Sequence, residues 1–398
     1  MPRKKQTGFN PDRLADLQRP KNLVPRILRH NPQTDLNSPV SASDIRVIGI
    51  GGAGNNAVNR MIEAGLAGVE FVVVNTDSQD LTASNADRRI LIGDQSTGNL
   101  GTGGNPRLGE RAANESYEDL SDLVKDADMV FVTAGMGGGT GTGAAPTVAK
   151  LASEAGALTI GVATIPFSFE GSRRTQIAAD GLTQLESHVD ALIPVYNDKL
   201  LDYAGPHTSF SDAFILADDM LSRGVQGIAN LITTTGLINV DFADVKSVMK
   251  DSGTAMMGVG EASGEERALR AVRQAMESPL LNSSIDGARG VLLNVTAAED
   301  VAMAEVNVAA EHVASVVAPD ANIIFGAVVD PNVGSVIRIT LIATGFHTTK
   351  SSIRLPANRR NAFPKRIISS EESPTRSKSS NVDDDAQVDG LQTNQPPS

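Results

Sequence analysis

The chain has 398 residues, no cysteine, no tryptophan and a formal net charge of −12. This composition excludes disulfide frameworks and thiolate metal sites, and the negative charge argues against a protein that grips nucleic-acid phosphates along its surface. The five histidines are scattered, which disfavours a zinc site, and no apolar run approaches the ~18 residues of a membrane span. The length exceeds what one hydrophobic core supports, so we expect two domains with tails.

Both ends of the chain are basic, polar and poor in periodic apolar residues. Residues 1–44 carry a net charge of +4 and residues 346–398 carry +2, whereas the segment between them carries −18. Such ends cannot bury enough apolar surface to offset their chain entropy, so we predict that both are disordered. In the C-terminal tail a basic stretch, 350–366, precedes an acidic one. We interpret the acidic stretch as solvated and keep contact with a partner or an anionic membrane as an alternative for the basic stretch.

The N-terminal segment also bears on where the protein acts. It contains no hydrophobic stretch that could serve as a signal peptide. Its acidic residues Asp12, Asp16 and Asp35 are untypical of a transit peptide. The sequence therefore favours the cytoplasm over the plastid stroma.

Short β-branched runs alternate with helical patterns along residues 45–208, which is typical of a parallel α/β domain. The predicted helices are 55–67 and 144–155, the second with Pro146 near its first turn. We predict a Rossmann-like, doubly wound sheet. Its expected strands are 45–50, 69–75, 129–133 and 158–164.

A long helix over 209–234 follows, because apolar residues recur there at spacings of three and four. Its position suits a connector between two domains. Beyond it, 235–345 is predicted to form a smaller α+β domain. The expected elements are helices near 242–249 and 265–276 and strands at 290–295, 323–329 and 336–342.

The first strand runs into the loop Gly49-Ile-Gly-Gly-Ala-Gly54, which satisfies the pattern GxGxxG, and Asp77 lies 23 residues beyond it. A strand followed by such a loop and a helix bares backbone N–H groups for a phosphate. Taken alone, the loop is compatible with an NAD-dependent oxidoreductase, and equally with a tight turn that binds nothing.

A second loop changes this balance. Residues 135–143 contain six glycines and two threonines, Thr140 and Thr142, whose hydroxyl groups can donate to phosphates. A third segment, 101–105, can add N–H groups. The chain contains neither GxxxxGK[ST] nor NKxD, which excludes Walker-type and Ras-like nucleotide sites. An oxidoreductase would need one such loop, so two loops indicate a polyphosphate neutralised by amides, helix dipoles and a metal ion.

From these loops onward the sequence resembles the tubulin/FtsZ family, and within it the FtsZ cell-division GTPases of bacteria, cyanobacteria and plastids. The resemblance spans 45–345. It implies a protein that binds GTP or GDP with Mg²⁺, polymerises head to tail and forms the contractile division ring at mid-cell with accessory and membrane-anchoring proteins. The motifs that carry it are GGGTGTG at 137–143 and, in chain order, Asn75-Thr76-Asp77, Phe169-Glu170-Gly171 with Arg174, Asn197-Asp198-Lys199-Leu200 and Asn239 to Asp244.

The resemblance also implies roles for individual residues. Glu170 would contact the ribose, and Arg174 would lie near the sugar and the phosphates. Asn197 and Asp218 would read guanine, although spacing alone cannot choose between Asp218 and its neighbour Asp219. The residues expected on the phosphates and the base side are Gly52, Ala53, Gly54, Asn55, Asn56, Gly139, Thr140, Gly141 and Thr142.

Asp241 and Asp244 stand three residues apart at a predicted helix start, which puts them on one face. By pattern alone they are ordinary first-turn acids, with Asn239 or Asp241 as the N-cap. The resemblance implies that this loop, including Asn239, enters the nucleotide site of the next subunit, where the acids position the attacking water.

Two departures from the family pattern bear on these expectations. Ala53 stands where many members have glycine, a change that leaves phosphate binding intact if φ is negative there. The family's short C-terminal peptide is not recognisable, which puts docking to membrane anchors through it in doubt. A polymer-forming or accessory paralogue with little hydrolysis is a further alternative.

Overall fold

The computed structural model describes residues 43–205, 207–234, 236–278, 280–281, 284–330 and 333–346. The predicted disorder of the two tails, and the basic and acidic stretches, therefore concern residues that lie almost entirely outside these ranges. None of the described helices combines the length and apolarity needed to cross a membrane.

A seven-stranded parallel sheet organises the first half of the chain, with strand order β3-β2-β1-β4-β5-β6-β7. Helices cover both faces, so its central strands are buried throughout and read as continuous apolar runs. The predicted doubly wound sheet is confirmed. Its strands are β1 (Ile45–Ile50), β2 (Glu70–Asn75), β3 (Arg88–Leu91), β4 (Met129–Gly135), β5 (Leu158–Ile165), β6 (Ala191–Tyr196) and β7 (Gly253–Thr254).

The helices of this half connect the strands. Two of them begin four residues earlier than predicted, at Gly51 and Thr140, because their first turns lie inside the glycine loops. Pro146 lies in the interior of its helix, where it removes the N–H that would bond the carbonyl of Thr142. The helices are α1 (Gly51–Glu63), α2 (Ser78–Thr82), α3 (Asp94–Thr97), α4 (Pro106–Glu115), α5 (Tyr117–Val124), α6 (Thr140–Glu154), α7 (Ser172–Glu186) and α8 (Asn197–Ala204).

The predicted long helix is α9 (Phe210–Thr233), which spans about 36 Å at the usual rise per residue. Its N-terminus is fixed by Ser209, whose hydroxyl accepts a hydrogen bond from the Asp212 N–H at 3.1 Å. Its buried residues are mostly apolar, as the spacing predicts, whereas Phe210 and Ile215 near its N-terminus are exposed.

A smaller mixed sheet follows α9, with strand order β10-β9-β11-β8. Strands β9 and β10 are parallel, and β11 is antiparallel to both β8 and β9. Sequence analysis did not predict β8, because Gly258 and Gly260 interrupt its apolar run where α11 approaches closely. The elements are α10 (Phe242–Met249), β8 (Met256–Ser263), α11 (Arg267–Met276), β9 (Gly290–Ala297), α12 (Met303–Ala314), β10 (Asn322–Val329) and β11 (Val336–Thr344).

The two sheets share one hydrophobic core. Val47 and Ile160 of the first sheet belong to the same buried cluster as Val225 of α9, Met257 of β8 and Leu292 of β9. In addition, β7 follows α9 in the chain but pairs with β6 of the first sheet. The division of the chain at residue 235 stays a proposal. The two halves are joined by the shared core and by the pairing of β6 with β7, in addition to α9.

We predict that the two sheets unfold in one transition, because they share this core. Ile228 of α9 is fully buried in it, so Ile228→Ala should lower the free energy of unfolding by about 2–5 kcal/mol for both sheets. The measurement is hydrogen exchange in a urea series, read on peptides from β5 and β9. Ile215→Ala on the same helix is the control, since Ile215 is 44% exposed and its loss should cost less than about 1 kcal/mol. Separate transitions for β5 and β9 in the unaltered protein would contradict the prediction.

Candidate functional site

A cavity of about 310 Å³ lies at the carboxyl ends of the first sheet's strands. Residues at or just beyond the ends of β1, β2, β4, β5 and β6 line it. Open parallel sheets bind ligands at this edge, where the connecting loops diverge. Both long glycine loops meet there.

Two helices point their N-termini into this cavity. Neither α1 nor α6 has a side-chain hydrogen bond at its N-cap, so the first N–H groups of both helices are free of such caps. Gly51 has φ of +70°, and a Cβ there would lie 2.8 Å from the Gly141 nitrogen. Only glycine permits this close approach of the two loops. The arrangement suits an anion, which two helix dipoles and several N–H groups would stabilise together.

The predicted phosphate-loop residues separate into lining and supporting groups. Gly52, Ala53, Gly139, Thr140 and Gly141 line the cavity. Ala53 is not among the residues with positive φ, so alanine fits this position without strain.

Three other predicted residues lie behind those that line the cavity. A Cβ on Gly54 would lie 2.5 Å from the carbonyl oxygen of Thr133, so this glycine lets α1 pack on β4. Thr142 is buried, and its hydroxyl accepts a hydrogen bond from the Gly137 N–H at 2.9 Å. Asn55 is also buried, and its amide can donate to the carbonyls of Gly49 and Gly51. These three residues shape the loops from behind, and a direct contact with phosphate stays a prediction for them.

Threonine hydroxyls tie the second glycine loop to its neighbours. The Thr140 hydroxyl lies 2.6 Å from that of Thr76 and 3.4 Å from that of Thr102, all three buried. Gly101 and Thr102 line the cavity, as the third glycine segment predicts. Asp77 lines it too, while its carboxylate caps α2 by accepting from the Gln79 N–H at 2.9 Å.

Glu170 and Arg174 form one side of the cavity. The Glu170 carboxylate accepts a hydrogen bond from the Phe167 N–H at 2.8 Å and pairs with Arg174 Nη1 at 2.5 Å. The Glu170 side chain is largely buried, whereas that of Arg174 is 56% exposed and can reorient toward a bound anion. Both residues were predicted for the sugar and phosphate region.

Asn197 and Asp218 lie at the far end of the cavity. The Asn197 Oδ1 atom is buried and has no hydrogen-bond partner among the described residues, which is costly unless a ligand supplies a donor. Burial raises the pKa of Asp218 to about 6, although Arg60 at 3.8 Å and a hydrogen bond from Asn56 act in the opposite direction. Asn56 therefore acts through Asp218 from the neighbouring surface.

The structure also separates the two adjacent acids that spacing could not distinguish. Asp218 lines the cavity, whereas the Asp219 carboxylate turns away and accepts from Arg223 Nε at 2.8 Å.

Sequence analysis missed an aromatic wall at this end. Phe214 lines the cavity and contacts the rings of Phe167, Phe169 and Phe210, with centroids 5.0–6.4 Å apart. The available signal was its position four residues before Asp218, which places both on one face of α9. Asn75 and Asp80 also line the cavity, joined by a hydrogen bond from Asn75 Nδ2 to Asp80 Oδ2 at 3.1 Å.

The predicted catalytic residues stand elsewhere. Asn239, Asp241 and Asp244 are exposed, on the segment that leads from α9 into α10, and they do not line the cavity. Asn239 Oδ1 accepts from the Gly236 N–H at 2.7 Å. Asp241 occupies the N-cap of α10, yet its side chain makes no capping hydrogen bond. Both carboxylates are therefore presented to the surroundings.

Comparison with known proteins identifies this architecture. The Tubulin/FtsZ family GTPase domain matches residues 44–205, and the FtsZ family C-terminal domain matches residues 253–347. An empty FtsZ dimer from M. jannaschii is 46% identical, with a TM-score of 0.74 over 76% of this chain and 88% of that one. A point mutant of M. jannaschii FtsZ is also 46% identical, with a TM-score of 0.75 over 76% and 91% of the two chains.

A more distant protein shares the fold. CetZ2 from Haloferax volcanii, described as a GTPgS-bound protofilament, is 22% identical, with a TM-score of 0.64 over 75% of this chain and 92% of that one. The identity to the M. jannaschii FtsZ structures over three quarters of the chain, together with the cavity between the glycine loops, leads to one conclusion: this chain belongs to the tubulin/FtsZ family of cytoskeletal GTPases, which bind guanine nucleotides.

Proposed function

We propose that this protein is an FtsZ-type GTPase that polymerises head to tail and forms the contractile ring at the mid-cell division site. The base end of the cavity carries the proposal, because Asn197 Oδ1 is buried, has no hydrogen-bond partner in the described part of the chain and lines the same cavity as Asp218. Guanine offers the donors N1–H and N2–H₂ together, and a carboxylate can accept both, whereas adenine has no such pair. The cavity is therefore suited to guanine.

The rest of the nucleotide follows from this placement. With guanine between Asn197, Asp218 and Phe214, the ribose would lie near Glu170 and the phosphates at the N-termini of α1 and α6. Aromatic rings bind bases by stacking, which suits Phe214. The NAD-dependent oxidoreductase is not favoured, because both glycine loops close around the same cavity and the family relationship points to GTP.

Mg²⁺ would accompany the nucleotide. Its usual ligands are phosphate oxygens with one or two carboxylates and water, and Asp77 and Asp80 are two of the carboxylates that line the cavity. Bound there, the ion would neutralise charge on the phosphates as it does in other phosphoryl-transfer sites.

Self-assembly accounts for the position of the catalytic acids. Asp241 and Asp244 are exposed away from the cavity of their own subunit, so they can serve the GTP of a neighbour. A contact between two different surfaces repeats without closing and yields a filament. The dimeric state of the M. jannaschii FtsZ structure and the protofilament of CetZ2 support this arrangement.

Hydrolysis would then depend on assembly. Phosphoryl transfer needs positioning and charge stabilisation more than covalent chemistry, so the neighbour's Asp241 and Asp244 would orient the attacking water and accept its proton, while Asn239 helps to place the loop. Backbone N–H groups of the glycine loops would stabilise the charge on the phosphates. Loss of the γ-phosphate would weaken the contact and favour disassembly.

The setting of this activity is part of the proposal. We place the filament in the cytoplasm at mid-cell, with accessory and membrane-anchoring proteins as further partners.

Light scattering of the purified protein at increasing concentration tests assembly: GTP should produce scattering above a threshold concentration and GDP should not. Equilibrium binding of GTP and NAD tests the site, and tight NAD binding without affinity for GTP would refute the proposal.

GTP affinity should fall as the pH drops through the Asp218 transition. The pKa of Asp218 is raised to about 6, so its carboxylate is ionised at pH 8 and becomes progressively protonated as the pH falls through 6. A protonated carboxyl cannot accept both guanine donors, and the affinity should fall by about tenfold per pH unit below that point. Calorimetric titration with GTP measures this. Asp218→Asn is the control, since it should bind GTP weakly at all pH values and retain only the titration of the phosphates.

Asp241→Ala and Asp244→Ala should each retain GTP binding and lose turnover in the assembled protein, because the carboxylates that serve the neighbour's water are missing. Asp218→Ala should lose turnover for the opposite reason, since its nucleotide cavity is damaged while residues 239–244, here called the acid loop, are intact. A mixture of Asp241→Ala with Asp218→Ala should therefore regain phosphate release that neither variant shows alone. Unchanged turnover in the acid variants, or no recovery in the mixture, would contradict a site shared between subunits.

A further inference from the structure

A chain of ion pairs joins α9 to the second sheet. Arg223 of α9 donates from Nε to Asp219 Oδ2 and from Nη1 to Glu261 Oε1 of β8, both at 2.8 Å. Arg338 of β11 donates from Nε to the same Glu261 oxygen, also at 2.8 Å. One carboxylate oxygen therefore receives two guanidinium groups, one from the helix and one from the sheet.

The three bonds of this network have different positions in the fold. Arg338 and Glu261 are directly opposite in the β8–β11 pair, so their bond lies within the sheet. The Asp219–Arg223 bond lies within the helix, four residues apart. Only the Arg223–Glu261 bond of this network crosses from the helix to the sheet.

Glu261 remains ionised at neutral pH. Burial alone would raise the pKa of Glu261, but its hydrogen bonds and charge interactions with Arg338 and Arg223 outweigh it and hold the pKa below its usual value. Charge-assisted hydrogen bonds are directional, whereas apolar packing is not. The bond between Arg223 and Glu261 is therefore suited to fixing the orientation of the sheet on the helix.

Beside this bond the backbone of α9 approaches the second sheet closely. Gly224 and Gly227 present the α9 backbone to Met257 and Thr340, and a Cβ on Gly227 would lie 2.7 Å from Thr340 Cγ2. Apolar side chains of α9 also pack against the second sheet in one buried cluster. The bond of Arg223, one residue before Gly224, adds a directional contact to this apolar packing.

The network also lies between the two functional regions of α9. Phe214 and Asp218 line the nucleotide cavity on its N-terminal half, and Asp218 directly precedes Asp219 of the network. Beyond the C-terminal end of α9 the chain enters the acid loop with Asp241. The acid loop also touches the second sheet, because Ile238 forms a bridge with Ala327 of β10.

We propose that Glu261 is a positioning residue for the reaction. Its bond to Arg223 fixes the second sheet on α9, and thereby sets where a subunit holds its acid loop relative to its own nucleotide cavity. In a head-to-tail filament this spacing decides whether Asp241 and Asp244 reach the next subunit's GTP. The inference rests on the proposed function and adds to it the residue that sets the geometry.

A distance measurement tests the contact between α9 and the second sheet without relying on GTP turnover. The chain has no cysteine, so Gln184→Cys on α7 and Ala314→Cys on α12, both at exposed positions, can carry spin labels for pulsed electron paramagnetic resonance. Glu261→Gln should shift or broaden the distance distribution. An unchanged distribution in a variant that retains the native thermal transition would overturn the proposal.

The chain offers a closely matched control in Glu70 of β2. Its side chain is 33% exposed, against 34% for Glu261, and it also faces two arginines, Arg46 at 3.2 Å and Arg88 at 3.8 Å. All three residues belong to the first sheet, so Glu70→Gln removes a comparable carboxylate without altering the contact between α9 and the second sheet. It should leave the distance distribution unchanged, and an equal change would show a general effect of charge loss and overturn the proposal.

Further variants separate the bonds of the network. Arg223→Met should reproduce the change seen with Glu261→Gln, and the double variant should add nothing further, because both remove the same bond. Arg338→Met keeps the bond between Arg223 and Glu261, so its distance distribution should remain close to that of the unaltered protein. A full effect of Arg338→Met, or additive effects of the other two, would overturn the assignment.

Turnover then tests the consequence for assembly. For Glu261→Gln we expect the protein concentration at half-maximal GTP turnover to rise roughly three- to tenfold, with GTP affinity of the unassembled protein unchanged. A changed distance distribution with unaltered turnover would overturn the positioning role and leave the proposed function intact. Turnover in the unaltered protein that does not depend on concentration would refute the shared site, and with it the positioning role.

Discussion

The close approach of two glycine loops is the constraint on which the rest of the structure depends. Gly51 and Gly141 bring the first turns of α1 and α6 together at the edge of the sheet, and a side chain at either position would meet backbone. Two uncapped helix N-termini in one place would repel each other's positive ends, so the arrangement favours a bound polyanion. The cavity, the threonine hydroxyls and the position of Arg174 are all arranged around this requirement.

Sequence reasoning could predict the parts that local rules determine. Glycine loops between a strand and a helix have a distinct pattern, and the apolar spacing of α9 defines that helix within one residue at each end. The same rules failed for β8, where Gly258 and Gly260 serve the approach of α11 and interrupt the strand pattern. They also failed for the starts of α1 and α6, because low helix propensity in glycine is overridden when the first turn serves a ligand site.

The candidate site shows a similar division. Spacing could place Asp218 and Asp219 on the same helix but could not say which enters the cavity, because adjacent residues differ by about 100° around the axis and only tertiary packing fixes the direction. Arg223 binds the Asp219 carboxylate and holds it away from the cavity, which leaves Asp218 as the acid that lines it. Phe214 was missed because a phenylalanine at helical spacing is normally core, and its role depends on neighbours that are far away in sequence.

These observations give α9 two separate roles on two faces. One face presents Phe214 and Asp218 to the cavity, and another binds the second sheet through apolar packing and Arg223. Because a helix is stiff along its axis, a displacement of its cavity face must be transmitted to the sheet unless the contacts between helix and sheet yield. The bond between Arg223 and Glu261 adds a directional contact to this apolar packing, and lengthening it would remove the one ion pair of the network that joins helix and sheet. In the proposed shared site, α9 would couple nucleotide binding to the position of Asp241 and Asp244, because it carries Phe214 and Asp218 on one half and leads into those acids at its C-terminal end.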